Sequence, residues 1–229
     1  MTPTHRTPPL RRSSPATPRW RRAAPAQQRS RETMERFAEA AELLLREKPF
    51  EEISVQEIVA RSGRPVGSFY ARFGSKEALL PHLYERYDRT LEANFAEWLE
   101  RVDWLALELP EAIAATVDLL LGMYESRPWL IRALALFARS RPEAIPEEVV
   151  RRRALIYEPL VRHLARHRRR IRHTDPEAAI RFGIFLVSSV AREKLLFGGA
   201  PLARVTPISS AELRDELVRA LAGYLGRAA

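Results

Sequence analysis

An all-α protein with a small N-terminal and a large C-terminal domain is the fold the sequence predicts, and three observations carry it. Apolar residues recur at three- and four-residue intervals from Ser30 onward, no stretch alternates with the two-residue period of a half-buried strand, and the breaks between periodic stretches fall at prolines. With 229 residues, 46% hydrophobic and 8% aromatic, the chain can build a real core. It has no cysteine, which excludes disulfide scaffolds, thiolate metal sites and cysteine nucleophiles. The longest apolar run, Phe182 to Ala191, is interrupted by Ser188 and Ser189 and falls short of the roughly 20 residues that span a bilayer, so no membrane partner is expected.

The net charge of +9 is concentrated at one end. Residues 1–31 hold eight arginines and no acid, whereas the remainder is almost neutral. Six prolines and few large apolar residues mark 1–29 as a disordered tail. It lacks the apolar core of a secretory signal, and its prolines break the amphipathic helix of a transit peptide. Arg19, Arg21 and Arg22 could reach phosphates or a narrow minor groove; a solubilising extension is the alternative.

The domain expected at 30–80 opens with an amphipathic helix on Met34, Phe37, Ala38, Ala41, Leu44 and Leu45, stopped by Pro49. Ser54-Val55-Gln56-Glu57 has the form of a capping box and starts a short helix with Val55, Ile58 and Val59 inward, ended by Gly63. After Pro65 comes a second short helix, Val66 to Phe73, with Phe69 and Phe73 on one face. Two short helices joined by a glycine-containing turn form a helix-turn-helix. The outward face of the second, Val66, Gly67, Ser68, Tyr70 and Arg72, begins with small residues that allow a close approach to base edges in the major groove. A surface helix in an ordinary bundle is the competing reading.

Phe37-Ala38-Glu39-Ala40-Ala41, Phe50, Ser54-Val55, Ile58, Gly63, Gly67-Ser68-Phe69-Tyr70, Phe73 and Ser75-Lys76-Glu77-Ala78-Leu79 together resemble the DNA-binding domain of the tetracycline-repressor (TetR) family. The resemblance covers about residues 31–80 and implies phosphate contacts from Arg31, Ser54, Tyr70 and Lys76, and base contacts from Val66, Gly67, Ser68 and Arg72. Ser54 and Ser75-Lys76 stand at expected helix starts, where free amides favour an anion. Three positions depart from the family pattern: Pro65 replaces a capping serine, Arg64 a buried valine and Pro49 a glycine. Pro65 suits a helix start, and Arg64 must snorkel outward or touch DNA itself.

Residues 81–229 are expected to form a helical ligand-binding and dimerisation domain. Helices are predicted over about 76–101, 110–126, 129–140, 146–170, 175–197 and 209–226, the first connecting the two domains. The last two carry broad stripes that include Ile184, Val187, Ala191, Leu195, Leu217 and Leu221. The resemblance implies that this pair makes a four-helix homodimer interface, which would place two recognition helices on a palindromic double-stranded operator. It also implies an inducer cavity among the aromatics of the middle helices. Trp104, Tyr124, Trp129, Phe137, Tyr157 and His163 are its candidate lining, with Arg139 as a further polar group. Such proteins act as repressors released by a small molecule.

No cofactor, metal or enzymatic activity is expected. His163 and His167 have an i, i+4 spacing, but the arginines of 166–172 oppose a cation and no metalloprotease pattern accompanies them. No Gly-rich phosphate loop or nucleophile motif occurs, leaving a helical adaptor that uses only its tail on DNA as the rival to a regulator. Arginine greatly outnumbers lysine, and with the resemblance this points to a bacterial cytoplasmic protein.

Overall fold

The computed structural model describes residues 25–226 and is helical, with no strand among the described residues. The N-terminal unit is α1 (Pro25–Leu45), a 3-10 turn (Phe50–Glu52), α2 (Val55–Ser62) and α3 (Val66–Phe73). α4 (Leu79–Glu100) leads into α5 (Leu109–Ser126), α6 (Pro128–Ser140), α7 (Glu147–Ala165), α8 (Pro176–Leu196), the short α9 (Pro201–Val205) and α10 (Ser210–Leu225).

The tail ends earlier than expected. Helix α1 begins at Pro25, so residues 25–29 are helical. Proline lacks the amide that a first turn leaves unpaired anyway, and Gln28 reaches Glu32 one turn on at 3.3 Å. The expected DNA contacts from Arg19, Arg21 and Arg22 lie outside the described residues.

α1 packs on α2, α3, α4 and α6, so the first helix joins the small unit to the larger bundle. In that bundle α5 is central, flanked by α7, α8 and α10. α5 is apolar on nearly all sides, with Ile113, Val117, Leu120 and Met123 buried, as a helix surrounded by neighbours must be. α8 and α10 approach closely at Gly183, where a Cβ would stand 2.5 Å from Leu221 Cδ1.

Candidate nucleic-acid interface and ligand cavity

The helix-turn-helix is set by local chemistry. Ser54 caps α2: its hydroxyl donates to Glu57 at 2.8 Å and accepts the Glu57 amide at 3.3 Å, while the Ser54 amide donates to the Glu57 carboxylate at 2.9 Å. Lys48, 2.6 Å from Glu57, and the Ser54 cap hold that carboxyl down at about 2. Gly63 ends the helix at φ +64, a left-handed conformation that costs a glycine nothing. α3 is then fixed from beneath. Phe69 and Phe73 are buried against Phe37 of α1, edge to face, with ring centroids 5.2 and 6.1 Å apart.

With one face anchored, the other is presented. Val66, Gly67 and Tyr70 are exposed and Ser68 half-buried, while Phe69 supports the Tyr70 ring edge-on at 5.7 Å. A Cβ built on Gly67 would meet nothing within 4 Å, so no internal contact requires glycine there. Arg31 on α1 and Arg64 before α3 are exposed, and Pro65 is the N-cap of α3. Arg64 has therefore snorkelled into solvent, where a buried charge would have been costly.

Three of the expected contacts make bonds within the chain. Lys76 does not begin a helix, because α4 starts at Leu79. Its three ammonium donors reach the carbonyls of Phe50, Glu51 and Ile53 at 3.1, 3.1 and 2.9 Å, over the Phe50 ring. It closes the 3-10 turn, and no donor remains for a phosphate. The single hydroxyl proton of Ser54 is likewise used on Glu57. Arg72 donates one of its five N–H groups to the Ser68 carbonyl at 2.9 Å, which folds its side chain back along α3.

In the larger domain a cavity of about 190 Å³ opens between α4, α5, α6, α7 and α8, bordered by Tyr84, Tyr87, Tyr124, Arg139, Arg153 and Arg192 over Ile131 and Leu134. Asp88, fully buried, holds Arg153 by its Nε at 2.8 Å and Nη2 at 2.7 Å. Burial works against the Arg153 charge, but its neighbours, with the Asp88 carboxylate as the standing negative charge among them, raise its pKa. Burial also raises the hydroxyls of Tyr87 and Tyr124, with Arg153 and Arg192 pulling the other way. The phenols of Tyr87 and Tyr124 thus stay neutral and the Arg153 guanidinium charged.

Of the six expected lining residues only Tyr124 borders this cavity. Trp129 lies in the seam between the two domains, under the Arg46 guanidinium at 5.1 Å. Trp104 is buried, donates its indole N–H to the Leu99 carbonyl and stacks on His163 at 4.9 Å. Burial and the neighbouring Arg166 and Arg162 lower the His163 pKa, which favours a neutral, stacked ring. Phe137 fills the core, and Tyr157 packs edge-on against Phe95 with its hydroxyl donating to Met123 Sδ at 3.8 Å. The residues missed, Tyr84, Tyr87, Arg153 and Arg192, carry a readable signal: Arg153 interrupts the buried stripe of Val149, Ile156 and Leu160, and Asp88 follows Leu83 and Tyr87 in that of α4.

The expected interface residues lie mostly on the inward faces of α8 and α10. Ile184, Val187, Ala191, Leu217 and Leu221 are all 5% exposed or less, and Leu195 is half-buried against the same core. They hold α8 and α10 to their own bundle because the small Gly183 lets the helices close. The outward face of α8 is instead Phe182, Phe185 and Val190, exposed by 51%, 64% and 36%. Beside it a groove of about 750 Å³ runs between α8, α9 and α10, with Leu186, Val190, Leu202 and Ile208 along it and Val187 and Leu217 in its lining.

No helix among the described residues is long and apolar enough to cross a membrane. The family of bacterial regulatory proteins named for tetR matches residues 38–83. A curated relative, the uncharacterized HTH-type transcriptional regulator YwcC of Bacillus subtilis, is 30% identical over 107 residues, 45% of this chain. The chain spans about half of that relative's length (48%). A tetR-family regulatory protein from Rhodococcus RHA1 superposes with a TM-score of 0.59 at 16% identity, over 86% of this chain and 98% of that one. The regulator FadR from Bacillus subtilis, solved with stearoyl-CoA, gives a TM-score of 0.56 at 14% identity, over 83% and 98%. At such identities the two structures establish a shared fold.

Proposed function

We propose that the chain, whose residues 38–83 match the TetR family of bacterial regulatory proteins, is a homodimeric, cytoplasmic repressor that binds a palindromic operator and is released by a small molecule. The observation that carries this reading is α3: a short helix anchored from below by Phe69 and Phe73, with Val66, Gly67, Ser68 and Tyr70 turned outward. Small side chains at its start let the helix backbone come close to base edges. Tyr70, Arg31 and Arg64 flank them as phosphate contacts, and Pro65 sets the angle of entry. Arg72 adds a base contact once it leaves Ser68.

Phe182, Phe185 and Val190 supply the surface for a second copy, since so much exposed aromatic area on one helix calls for a partner. Residues 25–80 form the DNA-binding unit and 81–226 the ligand-binding and dimerisation unit. A ligand-bound relative of the same fold supports a ligand role for the cavity. α4 couples the two units. It borders the cavity with Tyr84 and Tyr87, and on its other side Arg86 pairs with Glu35 and, at 2.9 Å, with Glu42 of α1. Arg127 holds Glu42 at 3.4 Å from the start of α6. A ligand that prefers a shifted α4 moves α1, and with it the spacing of the two α3 helices; equal affinity for both states would shift nothing.

The test is selection of bound duplexes from a random pool by the full chain at physiological salt, where nonspecific binding falls to roughly 10⁻⁴ to 10⁻⁶ M. A palindrome is expected, with enrichment lost in Tyr70→Ala. Sequence-blind, salt-sensitive binding that disappears when the N-terminal arginine segment is removed would instead mark a helical adaptor.

A further inference from the structure

The cavity has the charge of an anion site. Three guanidinium groups border it and no acidic side chain lines it. Arg153 has a counter-ion in Asp88, but among the described residues neither Arg139 nor Arg192 makes an ion pair. Arg139 lies over the Phe197 ring at 5.1 Å, and Arg192 Nε is buried without a hydrogen-bond partner. A guanidinium keeps its charge in any setting, and a buried donor without an acceptor is costly. An acceptor with a negative charge removes both penalties at once.

Size restricts the ligand further. About 190 Å³ is below the range of about 300 to 1,000 Å³ for drug-sized ligands. The remaining lining is aromatic and aliphatic, with Tyr84, Tyr124 and Leu134 beside the guanidinium groups. We propose that the cavity binds a compact organic carboxylate, its carboxyl group held between Arg192 and Arg153 and its apolar body against Tyr84 and Tyr124. This rests on the ligand-responsive reading above and adds the chemical class of the effector.

The test uses the full chain without DNA. Calorimetric titration at fixed ionic strength compares benzoate, phenylacetate and butyrate with their neutral amides, and with inorganic phosphate. At least one acid is expected to bind about tenfold or more tightly than its amide, the usual size of a charge-assisted contact. Arg192→Met should abolish that preference with the helical circular dichroism retained, and Arg192→Lys should restore part of it. If Arg192→Met does not fold, Arg192→Gln, which keeps a polar side chain there, is expected to lose the acid preference in its place. The proposal is overturned if no acid binds at millimolar concentration, if acid and amide bind alike, if Arg192→Met binds as the parent does, or if phosphate outcompetes every acid. A failed duplex selection with acid binding intact would remove the regulator reading alone. A selected palindrome without Arg192-dependent acid binding would remove this inference alone.

Discussion

Replacing Gly67 by alanine separates what the fold needs from what the ligand surface needs. Gly67 is the second residue of α3, and its Cβ position is empty to 4 Å. Alanine therefore adds no clash and removes the entropic cost of a helical glycine, a gain of about 0.5 to 1 kcal/mol. For a chain of this size that raises the melting temperature by about 1 to 4 °C. The same methyl projects from the exposed start of the helix, where it would hold the backbone away from base edges. A loss comparable to one mismatched base pair, about 1 to 3 kcal/mol, lowers affinity for a selected duplex by roughly 5- to 150-fold. Scanning calorimetry and fluorescence anisotropy read the two effects separately. Unchanged affinity and site preference in Gly67→Ala would refute the reasoning, and so would a lower melting temperature.

Other substitutions address other parts of the account. Lys76→Met should cost about 1 to 3 kcal/mol in denaturant unfolding, because three carbonyls lose a charged donor, while leaving the salt dependence of DNA binding unchanged; a phosphate contact would instead reduce that slope by about one. Glu57, held at about 2 in the folded protein against an ordinary 4.5, contributes stability that is fully present above pH 4.5 and is lost as pH falls toward 2. Acid titration of Glu57→Gln, followed by circular dichroism, should lack that part of the loss; an identical profile would show that the carboxylate contributes nothing. The pair Phe182→Glu and Phe185→Glu should turn the dimer into a folded monomer in sedimentation equilibrium, and a dimer of parental affinity would place the interface elsewhere.

The N-terminal helix-turn-helix unit was legible because its signals are local. The capping box at Ser54 and Glu57, the left-handed Gly63 and the paired Phe69 and Phe73 each act within a few residues, and the limits expected for the second short helix, 66–73, are those observed. What the sequence concealed depends on distant neighbours. Lys76 looks like a solvated charge until Phe50, Glu51 and Ile53, more than 20 residues earlier, are brought to it. Over 182–187 α8 carries large apolar residues on both faces, so its pattern could not say whether Ile184 and Val187 or Phe182 and Phe185 face its own bundle. Of the aromatics expected around a ligand, Tyr124 borders the cavity, whereas Trp104 and Phe137 are core and Trp129 lies in the seam, the more common place for such residues in a helical bundle. Charges set into buried stripes, at Asp88 and Arg153, are a sequence signal for the cavity, since burying them unpaired would be prohibitive.

The central claim, that two copies of α3 sit in successive major grooves, can be read directly because the chain has no cysteine of its own. Val66→Cys, labelled with an iron chelate and bound to a selected duplex, places a cleaving group at the exposed start of α3. The account predicts two cleavage clusters related by the dyad of the site and about 10 base pairs apart, or a multiple of that spacing. A single cluster, or cleavage spread evenly along the duplex, would contradict it.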